Sequence, residues 1–189
     1  YGLDIGGTKI EVAIFDSEFQ CLDSWRLKTN TDDYPAFLQQ IQSAIEEADQ
    51  KSAVKATVGI GMPGIRSVAG QVLSSNVPCL NGKKLQEDLR RVLNRPIAMA
   101  NDIRCFALSE ARLGAGRGHA RVLGVILGTG AGGGLCIDGE LYIKPGDIAG
   151  EFGHQCIAAS VVQAYDLPLF GCGCGLTGCT ETYISGTGL

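Results

Sequence analysis

The chain has 189 residues with 16 basic and 20 acidic side chains, a net charge of −4, and that length allows one full domain or two small ones at ~100–200 residues each. Hydrophobic residues make up 45% and charged ones 19%, which supplies a core and excludes a disordered chain. The acidic balance argues against a nucleic-acid partner, and the longest uncharged run, Val122–Ile137, carries six glycines and is too short for a membrane span.

In chain order, Tyr1–Ile5 reads as a short strand, with Gly6, Gly7 and Thr8 as a turn. Lys9–Asp16 alternates, placing Ile10, Val12 and Ile14 on one face of a second strand, and Cys21–Lys28 reads as a third. A helix is expected from Pro35, which suits the first helical turn, with Phe37, Leu38, Ile41, Ile45 and Ala48 at helical spacing. A strand at Ala56–Gly61, a loop at Gly61–Gly64 and a hairpin around Gly70 follow. Lys84–Leu93 is a helix with Leu85, Leu89, Val92 and Leu93 inward; Ile97–Ala100 is a strand, Asp102–Leu113 a helix and Arg121–Leu127 a strand. This order, antiparallel at first and parallel afterwards, predicts a mixed α/β sheet. Three glycines in Gly114–Gly118 mark the expected boundary, giving an N-terminal domain over 1–116 and a second over 117–189. A strand, a glycine-rich turn and a second strand recur at 121–143 as at 1–16, suggesting two related halves.

Two glycine turns carry phosphate-binding potential. In Asp4, Ile5, Gly6, Gly7, Thr8 and Lys9, backbone amides can approach an anion without Cβ interference, beside a hydroxyl and an ammonium. The same residues also suit a plain tight hairpin. Gly128, Thr129, Gly130, Ala131, Gly132, Gly133 and Gly134 contain a G-x-G-x-x-G pattern, but Leu135–Tyr142 reads as two short strands around an Asp-Gly turn. A dinucleotide site would need a helix there, so that assignment is rejected. The two turns are instead expected to clamp a nucleotide's phosphates.

Asn101 and Asp102 fall at the carboxyl end of a parallel strand, where open α/β sheets place ligands. Asp102 suits either a helix cap or a general base. Of the eight cysteines, Cys21, Cys79, Cys105, Cys136 and Cys156 are scattered, whereas Cys172, Cys174 and Cys179 are dense. With His154 they make a four-donor set for a structural Zn²⁺, and the glycines at 171, 173, 175 and 178 let a short loop wrap it. A metal site without a visible signal peptide points to a reducing cytoplasm. Glu151 and Glu181 flank the ligands; His119, without such company, is expected at the surface.

Together, Asp4–Lys9, Gly61–Gly64, Asn101-Asp102, Gly128–Gly134, Glu151–His154 and Cys172–Glu181 resemble the ROK family of sugar kinases and repressors. The resemblance implies an actin-like, ribonuclease-H-like ATPase fold. It is strongest toward members that phosphorylate N-acetyl-D-glucosamine, on Gly2–Lys9, Asn76–Pro78, Cys105–Glu110 and Asp166–Leu169. It implies ATP-dependent transfer to that sugar's 6-hydroxyl, with Asp102 as base and Asp4 holding Mg²⁺. Gly2, Leu3 and Leu135 extend the two phosphate turns. Gly64, Asn76, Asn101, Glu151, His154 and Glu181 are implied at the sugar, and His154 also at the zinc. The alternatives are a fructokinase, a glucokinase or a non-catalytic sugar-binding regulator. Regulators of the family carry a helix-turn-helix before the first turn, and three residues precede Asp4 here. Where the family continues with Ala-Asn after its Asn-Asp, this chain has Ile103 and Arg104. Family members are longer and bind adenine downstream, so the chain is expected to be the front of a two-domain enzyme. A homodimer is the default expectation for any oligomer.

Overall fold

The computed structural model describes residues 1–74, 76–142, 148–186 and 188, in two compact units, Tyr1–Asp102 and Ile103–Leu189.

The first unit is built on a five-stranded sheet. β1 (Gly2–Ile5), β2 (Lys9–Phe15) and β3 (Cys21–Lys28) form an antiparallel meander. The expected alternation of β2 is observed, with Ile10, Val12 and Ile14 buried and Phe15 exposed. Helix α1 (Tyr34–Ser52) then crosses over, started by Asp33, whose side chain accepts from the Ala36 N–H, and by Pro35 in the first turn. It delivers the chain to β4 (Val58–Met62), parallel to β1. A short hairpin of β5 (Ile65–Arg66) and β6 (Val72–Leu73) turns around Gly70, whose φ of 82° suits glycine. Helix α2 (Leu85–Leu93) returns the chain to β7 (Ile97–Asn101), parallel to β4. The sheet order is β3-β2-β1-β4-β7, the mixed arrangement expected from the sequence.

Phe37, Ile41, Ala44, Ile45 and Ala48 of α1 and Leu85 and Leu89 of α2 pack with Leu3, Ile5, Ile10, Val12, Ile60 and Ile97 of the sheet. Each fully buried large side chain contributes about 1.5–3 kcal/mol of apolar transfer energy. Val92, expected inward, is 38% exposed. Leu85 and Leu89, one turn apart, already fill the helix's buried stripe, which leaves Val92 at its margin.

The second unit carries a separate three-stranded antiparallel sheet, ordered β10-β9-β8, from β8 (Arg121–Leu127), β9 (Ala131–Ile137) and β10 (Glu140–Leu141). Helix α3 (Asp102–Arg112) begins on the last residue of the first unit. Its later residues Ala107 and Ala111 share a small core with Cys136, Val122 and Leu141. That packing explains why the units divide at Asp102/Ile103 and not at Gly114–Gly118. Helix α4 (Ala159–Tyr165) had no sequence signal, since it buries no side chain and has no side-chain cap; α5 (Glu181–Ile184) is a single turn after the cysteine loop.

Candidate functional site

The three parallel strands β1, β4 and β7 end at the same edge of the first sheet. That edge carries Gly6–Thr8 after β1, Pro63 and Gly64 after β4, and Asn101-Asp102 at the end of β7. Asn101 Nδ2 donates to the Gly64 carbonyl at 3.1 Å, joining two of these segments. Burial, then the nearby Asp102 and Glu11 carboxylates, raise the Asp4 carboxyl above its ordinary range, while Lys9 pulls the other way. A carboxylate whose charge is disfavoured by burial and by a neighbouring carboxylate suits a hard cation with oxygen ligands.

The first glycine turn is held from several directions. Gly6 N–H donates to Lys9 O at 2.8 Å, closing the hairpin. A Cβ on Gly7 would lie 2.7 Å from the Asn76 carbonyl oxygen, so only glycine permits that approach. Thr29, which sequence reasoning did not single out, is buried behind the turn. Its N–H donates to Thr8 O at 3.1 Å and its hydroxyl to Gly6 O at 2.7 Å. A threonine at the end of β3 has no local pattern to announce this role; the register of β2 on β3, with Lys9 opposite Lys28, creates it. Leu3 and Ile5 point into the core, leaving only their backbone for a ligand, and Gly2 packs against the Phe15 ring.

In the second unit the glycine-rich stretch divides into two functions. Gly128, Thr129 and Gly130 are the turn, while Ala131–Leu135 lie within β9. The strand glycines admit α3: a Cβ on Gly134 would lie 2.7 Å from Ala107 Cβ, and one on Gly132 2.6 Å from Ile103 Cδ1. Gly124 of β8 meets Ala107 in the same way. The amides of Gly128, Ala131 and Gly133 already donate to Gly130 O, Glu181 Oε2 and Gly150 O. Phosphate-facing potential in this stretch therefore concentrates at its tip. No helix follows, as expected, since β10 comes next.

Segment 148–154 lies along β9. Gly133 N–H donates to Gly150 O at 2.7 Å, and buried Arg104 donates from Nη2 to Ala149 O at 3.3 Å. Arg104 is thus a tether two residues before Glu151. Glu151, Phe152, Gly153 and His154 then form a short 3-10 turn in which a Cβ on Gly153 would fall 2.0 Å from Ala131 O.

His154, Cys172, Cys174 and Cys179 converge, with one donor atom of each within 4.8 Å of every other. Cys174 Sγ is 3.7 Å from Cys179 Sγ, and Cys172 Sγ is 3.6 Å from His154 Nδ1. A tetrahedral zinc with bonds of about 2.3 Å to sulfur and about 2.0 Å to nitrogen has S···S edges near ~3.8 Å and S···N edges near ~3.6 Å. Donor identity and spacing both fit that ion. Of the loop glycines, Gly175 and Gly178 have positive φ, 89° and 75°, whereas Gly171 and Gly173 do not. Burial and the Glu181 carboxylate push the Cys172 thiol up to about 12, while the Leu176 N–H lowers Cys174. Three sulfurs so placed ionise together only with a cation among them. Glu181 joins the cluster: its Oε1 accepts from Cys172 Sγ at 3.0 Å and lies 3.4 Å from His154 Nδ1. Among the described residues no helix is long and apolar enough to cross a membrane, and His119 is exposed, as expected.

The ROK family model matches residues 1–189. An N-acetylgalactosamine kinase of Shewanella sp. (strain ANA-3) is 59% identical over the whole chain, which spans 61% of that protein. An N-acetyl-D-glucosamine kinase of Yersinia pestis bv. Antiqua (strain Nepal516) is 44% identical, with all of this chain and 75% of that protein covered. A ROK family glucokinase from Streptomyces griseus, solved with glucose and AMPPNP, superposes with a TM-score of 0.80 at 31% identity, over 98% of this chain and 57% of that one.

Proposed function

The chain belongs to the ROK family, and we propose that the protein it represents transfers the γ-phosphoryl group of ATP to the 6-hydroxyl of an N-acetylhexosamine. The observation that carries the reading is the shared edge of β1, β4 and β7, which gathers a glycine turn, Asp4 and Asn101-Asp102 at the carboxyl ends of parallel strands.

Phosphoryl transfer depends on positioning and charge neutralisation more than on covalent help from the protein. Asp102 accepts the proton of the sugar hydroxyl as it attacks in line. Asn101, positioned by its bond to Gly64 O, is assigned to the sugar, and so is Asn76, whose carbonyl lies against Gly7. Asp4, whose carboxyl is raised by burial and by Asp102, would hold Mg²⁺ with the nucleotide, either directly or through water. Bound Mg²⁺ supplies charge neutralisation for the phosphates. The Gly7–Lys9 part of the first turn offers amides, and Lys9 a charge, to a phosphate, and the tip of the second glycine turn is assigned to phosphate as well. Glu151, His154 and Glu181 bond sugar hydroxyls, and the zinc loop fixes the latter two.

N-acetyl-D-glucosamine is the acceptor expected from sequence, and N-acetylgalactosamine is the one supported by the more identical Shewanella relative. The two differ at the 4-hydroxyl alone. An ADP-release assay with both, and with glucose, fructose and N-acetylmannosamine, ranks them by kcat/KM. No turnover with any of these sugars overturns the kinase reading and favours a sugar-binding regulator. Asp102→Asn is expected to keep sugar binding and lose transfer by about 10²–10⁴-fold; near-normal turnover removes Asp102 from its role.

A further inference from the structure

Beside the four-donor cluster, the loop holds another sulfur pair. The segments 155–157 and 178–180 run antiparallel, with an isolated bridge between Cys156 and Cys179. Ile157 N–H donates to Gly178 O at 2.8 Å, and Thr180 N–H donates to Gln155 O at 2.8 Å. Both bonds flank the two cysteines and neither joins them, so Cys156 and Cys179 occupy a non-hydrogen-bonded position. At such a position the Cα atoms stand about 4.5 Å apart and both side chains leave the same face. That separation lies inside the ~4.4–6.8 Å range that a disulfide bridges without backbone movement.

The two thiols differ in access. Cys156 is exposed and lies outside the donor set, while Cys179 is fully buried and belongs to it. We infer that Cys156 and Cys179 form an oxidisable dithiol, a modification site through which a hydroperoxide dismantles the metal centre.

The Cys156 sulfur attacks a peroxide oxygen, the O–O bond breaks, and water and a sulfenic acid result. The Cys179 sulfur then attacks the Cys156 sulfur, giving up any bond it would hold to a metal, and the departing hydroxide takes a proton and leaves as water. Two thiols and one hydrogen peroxide thus give one disulfide and two waters. A cation held by the cluster would be left with His154, Cys172 and Cys174. Cys174 Sγ, 3.7 Å from Cys179 Sγ, is the competing partner. It is a metal ligand itself, whereas Cys156 is the exposed sulfur that metal does not protect.

The metal-release half of the inference rests on the zinc reading; the dithiol half does not. The test exposes zinc-loaded and chelator-stripped protein to a few equivalents of hydrogen peroxide. Linked peptides are mapped by mass spectrometry, and released zinc is followed with a chromogenic chelator. A Cys156–Cys179 peptide is expected in both samples, reversible by dithiothreitol, with zinc released in step from the loaded one. Cys156→Ser and Cys156→Ala are expected to retain zinc about tenfold longer. Predominant Cys174–Cys179 or Cys172–Cys174 linkage, or equally fast zinc loss from Cys156→Ser, overturns the inference. Protein that never takes up zinc yet forms the Cys156–Cys179 link overturns the metal reading and leaves the dithiol standing.

Discussion

Thr29→Val separates the hydroxyl of Thr29 from its bulk. The substitution keeps the shape of a buried side chain but deletes the 2.7 Å bond to Gly6 O, and leaves intact the backbone bond from Thr29 N–H to Thr8 O. Withdrawing a donor from a carbonyl behind the turn costs about 1–2 kcal/mol. If that bond fixes the peptide plane between Gly6 and Gly7, the lost energy is felt by the ligand whose anion the turn receives, raising KM for ATP about 5–30-fold. KM for the sugar and kcat at saturating ATP should move little. Thr29→Ser keeps the hydroxyl and sheds a methyl, so it should lose stability in urea without the rise in KM for ATP. Initial rates over an ATP titration at saturating sugar, beside urea midpoints for the three proteins, make the comparison. Equal KM values for ATP in wild type and Thr29→Val would refute the assignment of Thr29 to the phosphate turn. So would an equal rise in Thr29→Ser, since packing and not the hydroxyl would then be responsible.

Zinc content near one per chain is expected, lost on Cys174→Ser; because burial pushes the Cys172 and Cys179 thiols up, apparent zinc affinity should climb steadily with pH in competition with a chelator. A flat profile across pH 6–8 (about a hundredfold proton range) would contradict thiolate ligation. Gly134→Ala places a Cβ 2.7 Å from Ala107 Cβ and 2.9 Å from Arg104 Cα, so it should cost about 1–3 kcal/mol or more in denaturant unfolding. Gly173→Ala, with nothing within 4 Å and no positive φ, should be near neutral, and equal costs would undo the close-packing account of β9. Asp49 accepts from Arg95 and from the Tyr1 hydroxyl, which hold its carboxyl below the usual range, Arg95 being the larger cause. A folded-state pKa lowered in this way adds stability above the unfolded value of about 3.9 that disappears as pH falls through the folded one. The gap between wild type and Asp49→Asn should therefore be constant at neutral pH and shrink below about pH 4; a gap unchanged under acid would mean the pair contributes nothing.

What the sequence made legible follows from which forces are local. The alternation Ile10-Val12-Ile14 and the spacing Phe37-Ile41-Ile45 are written in neighbouring residues, and the structure buries each of them. The convergence of His154 with the three cysteines was legible because three of the four lie within eight residues, Cys172 to Cys179, with glycine supplying the turns. The role of Thr29 was not, since it depends on strand register, and neither was the tether from Arg104 to Ala149, which spans 45 residues. The seven residues from Gly128 to Gly134 read as a single turn because glycine signals two things, an unusual φ and a close approach. Only a partner, here Ala107 of α3, distinguishes the strand glycines from the turn.

Glu181 shows how these pieces act on one another within the second unit. Its two carboxylate oxygens are divided: Oε1 faces Cys172 and His154, and Oε2 accepts from Ala131 N–H at 3.4 Å, where the glycine turn becomes β9. A Cβ on Gly130 would already stand 3.0 Å from Oε2, so the turn is shaped to the carboxylate. Ala131 O, on the other side of the same residue, is where Gly153 presses the Glu151–His154 turn against the strand. Moving the cysteine loop therefore moves Glu181, and moving Glu181 frees an amide at the base of the turn and the support under His154. A cation held by all four of these donors would have no position left for substrate, so any influence on a ligand would pass through these geometric links. A metal held by this cluster would brace His154, at the end of its 3-10 turn, together with the Cys172–Cys179 loop that leads into Glu181 at the start of α5.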